Sequence, residues 1–136
     1  MADLSITASS VVPSSAARRV TKTAASAITA GQPVYVNSSG LVAPADANSS
    51  ATTATVLGIA EHAAAANQRV SIVTEDPAFV IGATVAIGDV VIASATAGGI
   101  APVADLATGW YCTVLGVAVS TTAINLKPVA AGSAKA

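Results

Sequence analysis

The sequence is poor in charge, in aromatic rings and in the side chains that perform most enzyme chemistry. Of its 136 residues, 10% are charged and 3% are aromatic, whereas about a quarter of an average domain is charged. It has one histidine, His62, and one cysteine, Cys112. A lone cysteine cannot close a disulfide within the chain and lacks the partner ligands of a zinc site. We therefore expect Cys112 to be a buried, unreactive thiol in a strand.

The single histidine does not indicate catalysis. A nucleophilic triad needs a serine or cysteine, a base and an orienting carboxylate that converge in space. His62 directly follows Glu61, but neighbouring residues in a strand point to opposite faces, so Glu61 would not orient the imidazole. We expect His62 to be an exposed or turn residue, with a pH-sensitive contact as the alternative.

Two further patterns resemble functional sites but are explained better as turns. Glu75 and Asp76 directly precede Pro77, which is typical of a turn, with a calcium site as the alternative. Gly98-Gly99 lacks the lysine and the following helix of a phosphate-binding loop. The sequence therefore predicts no enzyme, no metal site and no cofactor.

Charge and hydropathy argue against two classes of partner. Residues 1–30 carry three basic side chains against one acidic one, whereas the rest of the chain carries three basic and six acidic ones. The basic residues Arg18, Arg19 and Lys22 are too few for nucleic acid, but they suit docking onto an acidic protein surface. The longest apolar stretch, 77–88, is shorter than the roughly 20 residues of a membrane helix, and the chain start does not resemble a secretory leader. We therefore expect a soluble protein.

One segment of the chain recurs. Residues 55–60, T-V-L-G-I-A, return at 113–118 as T-V-L-G-V-A. Weaker matches relate other parts of the same two regions, namely 31–36 to 88–92 and 40–46 to 99–105. A solenoid needs at least three repeats to be stable, so two copies indicate a duplicated supersecondary unit within one domain.

The duplication predicts that specific residues are equivalent. Leu57 should match Leu115, and Gly58 should match Gly116. A glycine at the same place in both strands indicates a bulge or a close backbone approach. Residues with the larger side chains are expected to face the core, because alternate residues of a strand share a face: Leu57, Ile59, Leu115 and Val117.

Short apolar segments separated by frequent turn signals predict a mainly β protein, a small barrel or sandwich. The segment 46–53 is expected to be either a short helical turn capped by Asp46 or a loop. Strands are expected at 32–37, 41–43, 55–60, 68–74, 78–81, 90–93, 100–102, 110–120 and 123–127.

The way in which the amino-acid composition changes along the chain also predicts its domain organisation. The β domain should span 31–128, with pseudo-repeats at about 31–74 and 88–128. Residues 1–30 have too few large apolar side chains to fold alone, so they are expected to form an extended N-terminal arm. Residues 129–136 are small and are expected to form a flexible tail.

Low charge favours a subunit of an assembly. So few charged side chains leave small apolar and hydroxyl groups exposed, which is tolerated where other protein covers them. A weakly charged monomer, kept soluble by its many serine, threonine and asparagine residues, is the alternative.

The order of the turn and strand motifs resembles the small capsid decoration (cement) proteins of tailed bacteriophages. The resemblance covers roughly residues 28–127, most of the chain. Each motif is weak evidence by itself. The resemblance is specific because of the order of the motifs and the high content of small residues. The motifs are 28–35, 40–42, 45–47, 56–60, 65–70, 99–106 and 114–118.

This resemblance implies a β-tulip or barrel-like domain, usually a homotrimer, seated on the outer surface of the icosahedral head at its local three-fold axes. The partner would be the major capsid (coat) protein, and the protein would join the virion after synthesis in the host cytoplasm. In this family an N-terminal arm often reaches the coat protein, which would give Arg18, Arg19 and Lys22 a docking role. The resemblance implies no catalytic motif, cofactor, nucleic acid, membrane or small-molecule substrate.

The main rival is a β-rich surface fibre or receptor-binding module of a phage or bacterium. Such modules usually display aromatic or charged clusters for carbohydrate, and this chain has few of either. A small hydrolase or lyase would need a catalytic constellation that these residues do not supply.

Overall fold

Short apolar segments bounded by turns form strands throughout the chain. The computed structural model describes residues 3–135 and is mainly β, with 47% strand and 8% helix, so the predicted fold class is confirmed. Its strands are Val11–Val12 (β1), Arg18–Thr23 (β2), Pro33–Val36 (β3), Val42–Pro44 (β4), Val56–Ala60 (β5), Arg69–Ile81 (β6), Val90–Ala93 (β7), Ile100–Pro102 (β8), Tyr111–Ala118 (β9) and Ala123–Ala134 (β10).

The strands form one antiparallel sheet that curls into a half-barrel. Its order is β4-β3-β5-β6-β10-β9-β7-β8, and β1 and β2 pair with β6 outside this path. The order β4-β3-β5-β6 has the same connectivity as β8-β7-β9-β10. We name these two halves repeat 1 (β3 to β6) and repeat 2 (β7 to β10). The predicted pseudo-repeat is thus present as two copies of one four-strand arrangement.

Strand β6 connects the two repeats without a turn, so the turn predicted at Glu75-Asp76-Pro77 is wrong. Ile124 of β10 lies opposite Phe79, and Leu126 lies opposite Asp76. Two steps along β10 therefore correspond to three along β6. The extra residue is a β-bulge, which accommodates Pro77 because a bulge does not need every backbone N–H in the ladder.

The side chain of Asp76 holds this bulge in place. Asp76 is 1% exposed and accepts hydrogen bonds from the N–H of Ser14 at 2.7 Å and of Ala78 at 3.0 Å. The hydroxyl of Ser14 donates a third bond to the same carboxylate. Burial raises the pKa of Asp76, but the hydrogen bonds from Ser14 and Ala78 outweigh it, and the pKa lies below its ordinary value of 3.8.

Residues 3–30, predicted to form most of a separate arm, are part of this fold. Val11 of β1 pairs with Ile81, and β2 pairs with β6 along its whole length. Leu4 and Ile6 pack against the core, and Ala24 and Ile28 are buried. The few large apolar residues of this segment suffice because long-range pairing with β6 places them at buried positions. Met1 and Ala2 lie outside the described residues.

The predicted tail is also strand over most of its length. Strand β10 continues to Ala134, and its last residues pair with β9 at Val129–Val114, Ala130–Thr113 and Ala134–Tyr111. Pairing with β9 explains how a segment of small residues adopts an extended form. Residue 136 of the predicted tail lies outside the described part of the chain.

Of the two alternatives for 46–53, the helical turn is present, but it begins later than a cap at Asp46 would place it. A single turn of helix, Ala51–Ala54 (α1), begins after Ser50. Ser50 and Thr53 form a reciprocal capping box, so Ser50 and not Asp46 supplies the cap.

The apolar residues form two cores. The main core lies within the curl of the sheet and contains Val11, Ala45, Val56, Ile59, Val73, Phe79, Ile81, Val85, Val91, Ala93, Ile100, Leu115, Ala118, Ile124 and Leu126. A second core lies on the other side of repeat 1 and contains Ala24, Ile28, Val34, Val42, Ala60, Ala64, Val70 and Ile72.

We expect Asp76→Asn to lower the free energy of unfolding by about 1–3 kcal/mol, because the N–H groups of Ser14 and Ala78 lose a charged acceptor. The folded pKa of Asp76 is lowered, so its stabilisation should be present above pH 3.8 and should disappear as the pH falls through the lower folded value. Urea unfolding of wild type and variant at neutral and at acidic pH measures both effects. An equal difference between the two proteins at both pH values would contradict this account, and Ser15→Ala on the neighbouring exposed serine is the control.

Candidate functional site

The two strands that share the recurring segment occupy equivalent places in the sheet. In repeat 1, Gly58 of β5 lies opposite Val34, and the pairing then skips Leu57. In repeat 2, Gly116 of β9 lies opposite Val91, and the pairing skips Leu115. The same irregularity thus occurs at the same residue type in both strands.

The glycines recur because backbone carbonyls press against them. A Cβ atom at Gly58 would collide with the carbonyl oxygen of Val73, and one at Gly116 would collide with the carbonyl oxygen of Asn125. Both carbonyls belong to the next strand of the repeat, β6 and β10. The predicted close backbone approach is therefore present twice, in matching geometry.

The equivalent residues do not face the same core. Leu57 is half-buried against the second core, whereas Leu115 is fully buried in the main core. Ile59 is fully buried in the main core, but its equivalent Val117 is 42% exposed. The prediction that all four residues face one core is wrong for Val117, which is exposed. Leu57 does face a core, but it is the second core and not the main one.

The physical reason is the way in which the repeats stack. Each repeat has a leucine face, defined by Leu57 or Leu115, and an opposite face, defined by Ile59 or Val117. The main core lies between the opposite face of repeat 1 and the leucine face of repeat 2. The repeats therefore pack in the same orientation, which leaves one outer face at each end of the stack.

The outer face of repeat 1 is covered by the chain itself. Ala24, Ile28 and Ala64 close the second core over its leucine face. Bridges from Ile28 to Ala64 and from Ala24 to Val42 hold this cover in place.

The outer face of repeat 2 exposes valines. Val117, Val119 and Val129 are 42%, 47% and 58% exposed. Val117 pairs with the half-buried Val90, and Val129 pairs with the half-buried Val114. Directly opposed residues of an antiparallel pair lie on the same face. We call the four paired residues, Val90, Val114, Val117 and Val129, the valine face. Ile92, which also lies opposite Val114, is fully buried.

The basic residues predicted for docking lie on β2, and two of them have intramolecular partners. The Arg19 Nε donates to Glu61 Oε2 at 2.6 Å, and the Arg18 Nε lies 4.0 Å from Glu75 Oε2. Arg19 and Lys22 are three residues apart in a paired strand, so they point to opposite faces. The structure therefore spreads the three side chains over both sides of β2, with Arg18 the most exposed at 80%.

The histidine region is a hydrogen-bonded turn. His62 accepts from the N–H of Ser71 at Nε2, and its Nδ1 lies 2.9 Å from the carbonyl oxygen of Ala63. The Ser71 hydroxyl donates to Glu61 at 2.8 Å. Because that hydroxyl is directed to the carboxylate, the imidazole is not positioned to accept its proton.

The remaining candidates do not converge on one site. Cys112 is half-buried, and burial raises the pKa of its thiol. Among residues 3–135, no group of three or more His, Cys, Asp or Glu side chains could hold a metal ion. No helix within those residues is long and apolar enough to cross a membrane. No known protein family and no curated protein matches this chain.

We expect Leu115→Ala to destabilise the protein by about 2–5 kcal/mol, the usual cost of truncating a fully buried leucine. Leu57→Ala should cost less, because Leu57 is only half-buried. Chemical denaturation of both variants gives the comparison, and equal losses would contradict the stacking described above. As a second test, Gly116→Ala should also destabilise the protein, because the added methyl group would collide with the carbonyl oxygen of Asn125.

Proposed function

We propose that the protein is a bacteriophage head decoration (cement) protein that binds the outside of the capsid and stabilises the expanded shell. The observation that carries the proposal is a surface suited to be covered by protein. The chain has 10% charged residues, and its valine face leaves apolar side chains exposed on the outer face of repeat 2. The sequence resemblance to cement proteins supports the same function.

The proposed docking surface is the edge of β2 that does not pair with β6. This strand pairs with β6 along one side, and within residues 3–135 no strand pairs with its other side. Arg18 is largely exposed there, and Lys22 is half-buried. Arg19 contributes less to docking in this proposal, because Glu61 already neutralises it at 2.6 Å.

The mechanism is one of mass action. A protein that binds the expanded lattice more tightly than the compact one shifts the equilibrium towards the expanded lattice. A subunit that bridges neighbouring coat proteins also opposes their separation under the pressure of packaged DNA. Modest contacts suffice when several copies are linked, because each bound copy raises the effective concentration of the next.

We expect the purified protein to co-sediment with empty expanded heads of the phage whose genome encodes it, and to bind the unexpanded proheads more weakly. Decorated heads should also resist heat or chelator-induced disruption better than bare heads. Equal binding to both lattice states, or none to either, would overturn the proposal. Binding to host cells in place of heads would support the receptor-binding alternative.

We expect the double variant Arg18→Gln/Lys22→Gln to associate with heads more slowly and with a flatter dependence on salt, because exposed charges mainly set encounter rates. The control is Lys135→Gln, which removes one positive charge from the exposed residue that follows β10; Lys127 does not serve, because it lines the same cleft as Arg18. Association rates of the double variant, of Arg18→Gln and of Lys135→Gln, measured by light scattering at several salt concentrations, make the test. If Arg18→Gln and Lys135→Gln slow association equally, net charge and not the β2 surface is responsible.

A further inference from the structure

A cleft of about 220 Å³ lies between the start of β2 and the first half of β10. Strand β2 contributes Arg18 to it, and β10 contributes Asn125, Leu126 and Lys127. Strand β6 pairs with both of these strands, and its residues 75–77, at the bulge, also line the cleft. The fold therefore brings Arg18 and Lys127, which are far apart in the sequence, to one concave site.

Lys127 reaches this cleft from the outer face of β10. From Ile124 to Lys127 the strand alternates between buried and exposed residues, and Asn125 and Lys127 are the exposed ones. Asn125 pairs with Val117 of the valine face, and directly opposed residues of an antiparallel pair lie on the same face. The cleft therefore borders the valine face.

The acidic residues in the cleft leave its two cations largely uncompensated. Asp76 is 1% exposed, and its carboxylate already accepts hydrogen bonds from Ser14 and Ala78. Glu75 Oε2 lies 4.0 Å from Arg18 Nε, with the two side chains 52% and 80% exposed, so this pair contributes little. The ion pairs within residues 3–135 join Arg18 to Glu75 and Arg19 to Glu61, and neither includes Lys127.

A carboxylate group suits this arrangement. A guanidinium and an ammonium that face one space can bind the two oxygens of one carboxylate with charge-assisted hydrogen bonds. The side-chain amide of Asn125 supplies a further N–H donor. Glu75 repels a doubly charged phosphate more strongly than a singly charged carboxylate, because the repulsion grows with charge. The neighbouring valine face suits an apolar side chain next to the carboxylate.

We propose that this cleft binds an acidic side chain of the partner protein between Arg18 and Lys127, with an apolar neighbour of that side chain on the valine face. The inference rests on the proposed function for the identity of the partner, the coat protein. It adds the chemistry of the contact, and it assigns Lys127 of β10 to the same contact as Arg18 of β2.

The first experiment needs no capsid. The probes are the peptide acetyl-Val-Glu-Val-amide and its neutral match acetyl-Val-Gln-Val-amide, each titrated into the isotope-labelled full chain and followed by NMR. We expect the acidic peptide to shift the amide signals of Arg18, Asn125 and Lys127 with a Kd of about 1–10 mM, since one partly exposed ion contact is weak. The neutral peptide should leave these signals in place.

Two variants make the titration specific. Lys127→Gln should abolish the shifts caused by the acidic peptide, whereas Lys135→Gln, at the exposed residue that follows β10, should not change them. No shifts, equal shifts from both peptides, or shifts that persist in Lys127→Gln would overturn the proposal. Lys127 is exposed, so the fold should survive, and circular dichroism and thermal melting check this. If Lys127→Gln fails to fold, Arg18→Gln makes the same test.

The second experiment measures dissociation from expanded heads. Charges at the rim of an interface mainly set the association rate, whereas a charge pair enclosed by the interface sets the dissociation rate. We expect Lys127→Gln to dissociate about tenfold faster than wild type, and Lys135→Gln to dissociate as wild type does. The effect of Arg18→Gln/Lys127→Gln should be smaller than the product of the two single effects, because both side chains hold the same carboxylate.

The two experiments separate this inference from the cement function. If wild type and Lys127→Gln leave the heads at the same rate, the cleft is not the contact, and the cement function stands. If wild type does not bind heads but binds the acidic peptide through Lys127, the cement function fails, and the cleft remains a site for an acidic segment of another protein.

Discussion

The fold depends on one strand that passes from the first repeat to the second without a turn. Strand β6 pairs with β5 and β2 near its start, and with β10 and β1 near its end. The change of partners happens at the bulge beside Pro77, where the ladder has an extra residue. The buried carboxylate of Asp76 makes this possible, because it accepts the backbone N–H groups that a regular strand would have paired elsewhere.

The duplication was visible in the sequence, and so was much of the sheet. Val90–Ala93 and Ile100–Pro102 form strands with the predicted bounds, since both are short apolar segments between clear turn signals. Gly58 and Gly116 also identified the close backbone approach, because a glycine repeated within a strand has few other physical explanations.

What the sequence could not predict are the features that depend on partners far along the chain. The sequence Glu75-Asp76-Pro77 favours a turn by local rules. The contact of Asp76 with Ser14, 62 residues away, stabilises an extended strand there instead. Val117 matches Ile59 in sequence, yet Val117 is exposed because of how the two repeats stack. No local sequence pattern predicts that stacking. Among the basic residues proposed for docking, the ion pair of Arg19 with Glu61, 42 residues away, could not be predicted from the sequence.

The pairing of the N-terminal strands with β6 has a consequence for synthesis on the ribosome. Strand β2 has no partner until β6 has emerged, and the side chain of Asp3 finds its hydrogen bond only with Ser94, 91 residues later. Such long-range pairing is slow, and strands that await a partner are prone to aggregate. The serines, threonines and alanines that fill the first thirty residues give this segment little apolar surface while it waits. The low apolar content that led to the prediction of an independent arm therefore also limits aggregation of the nascent strand.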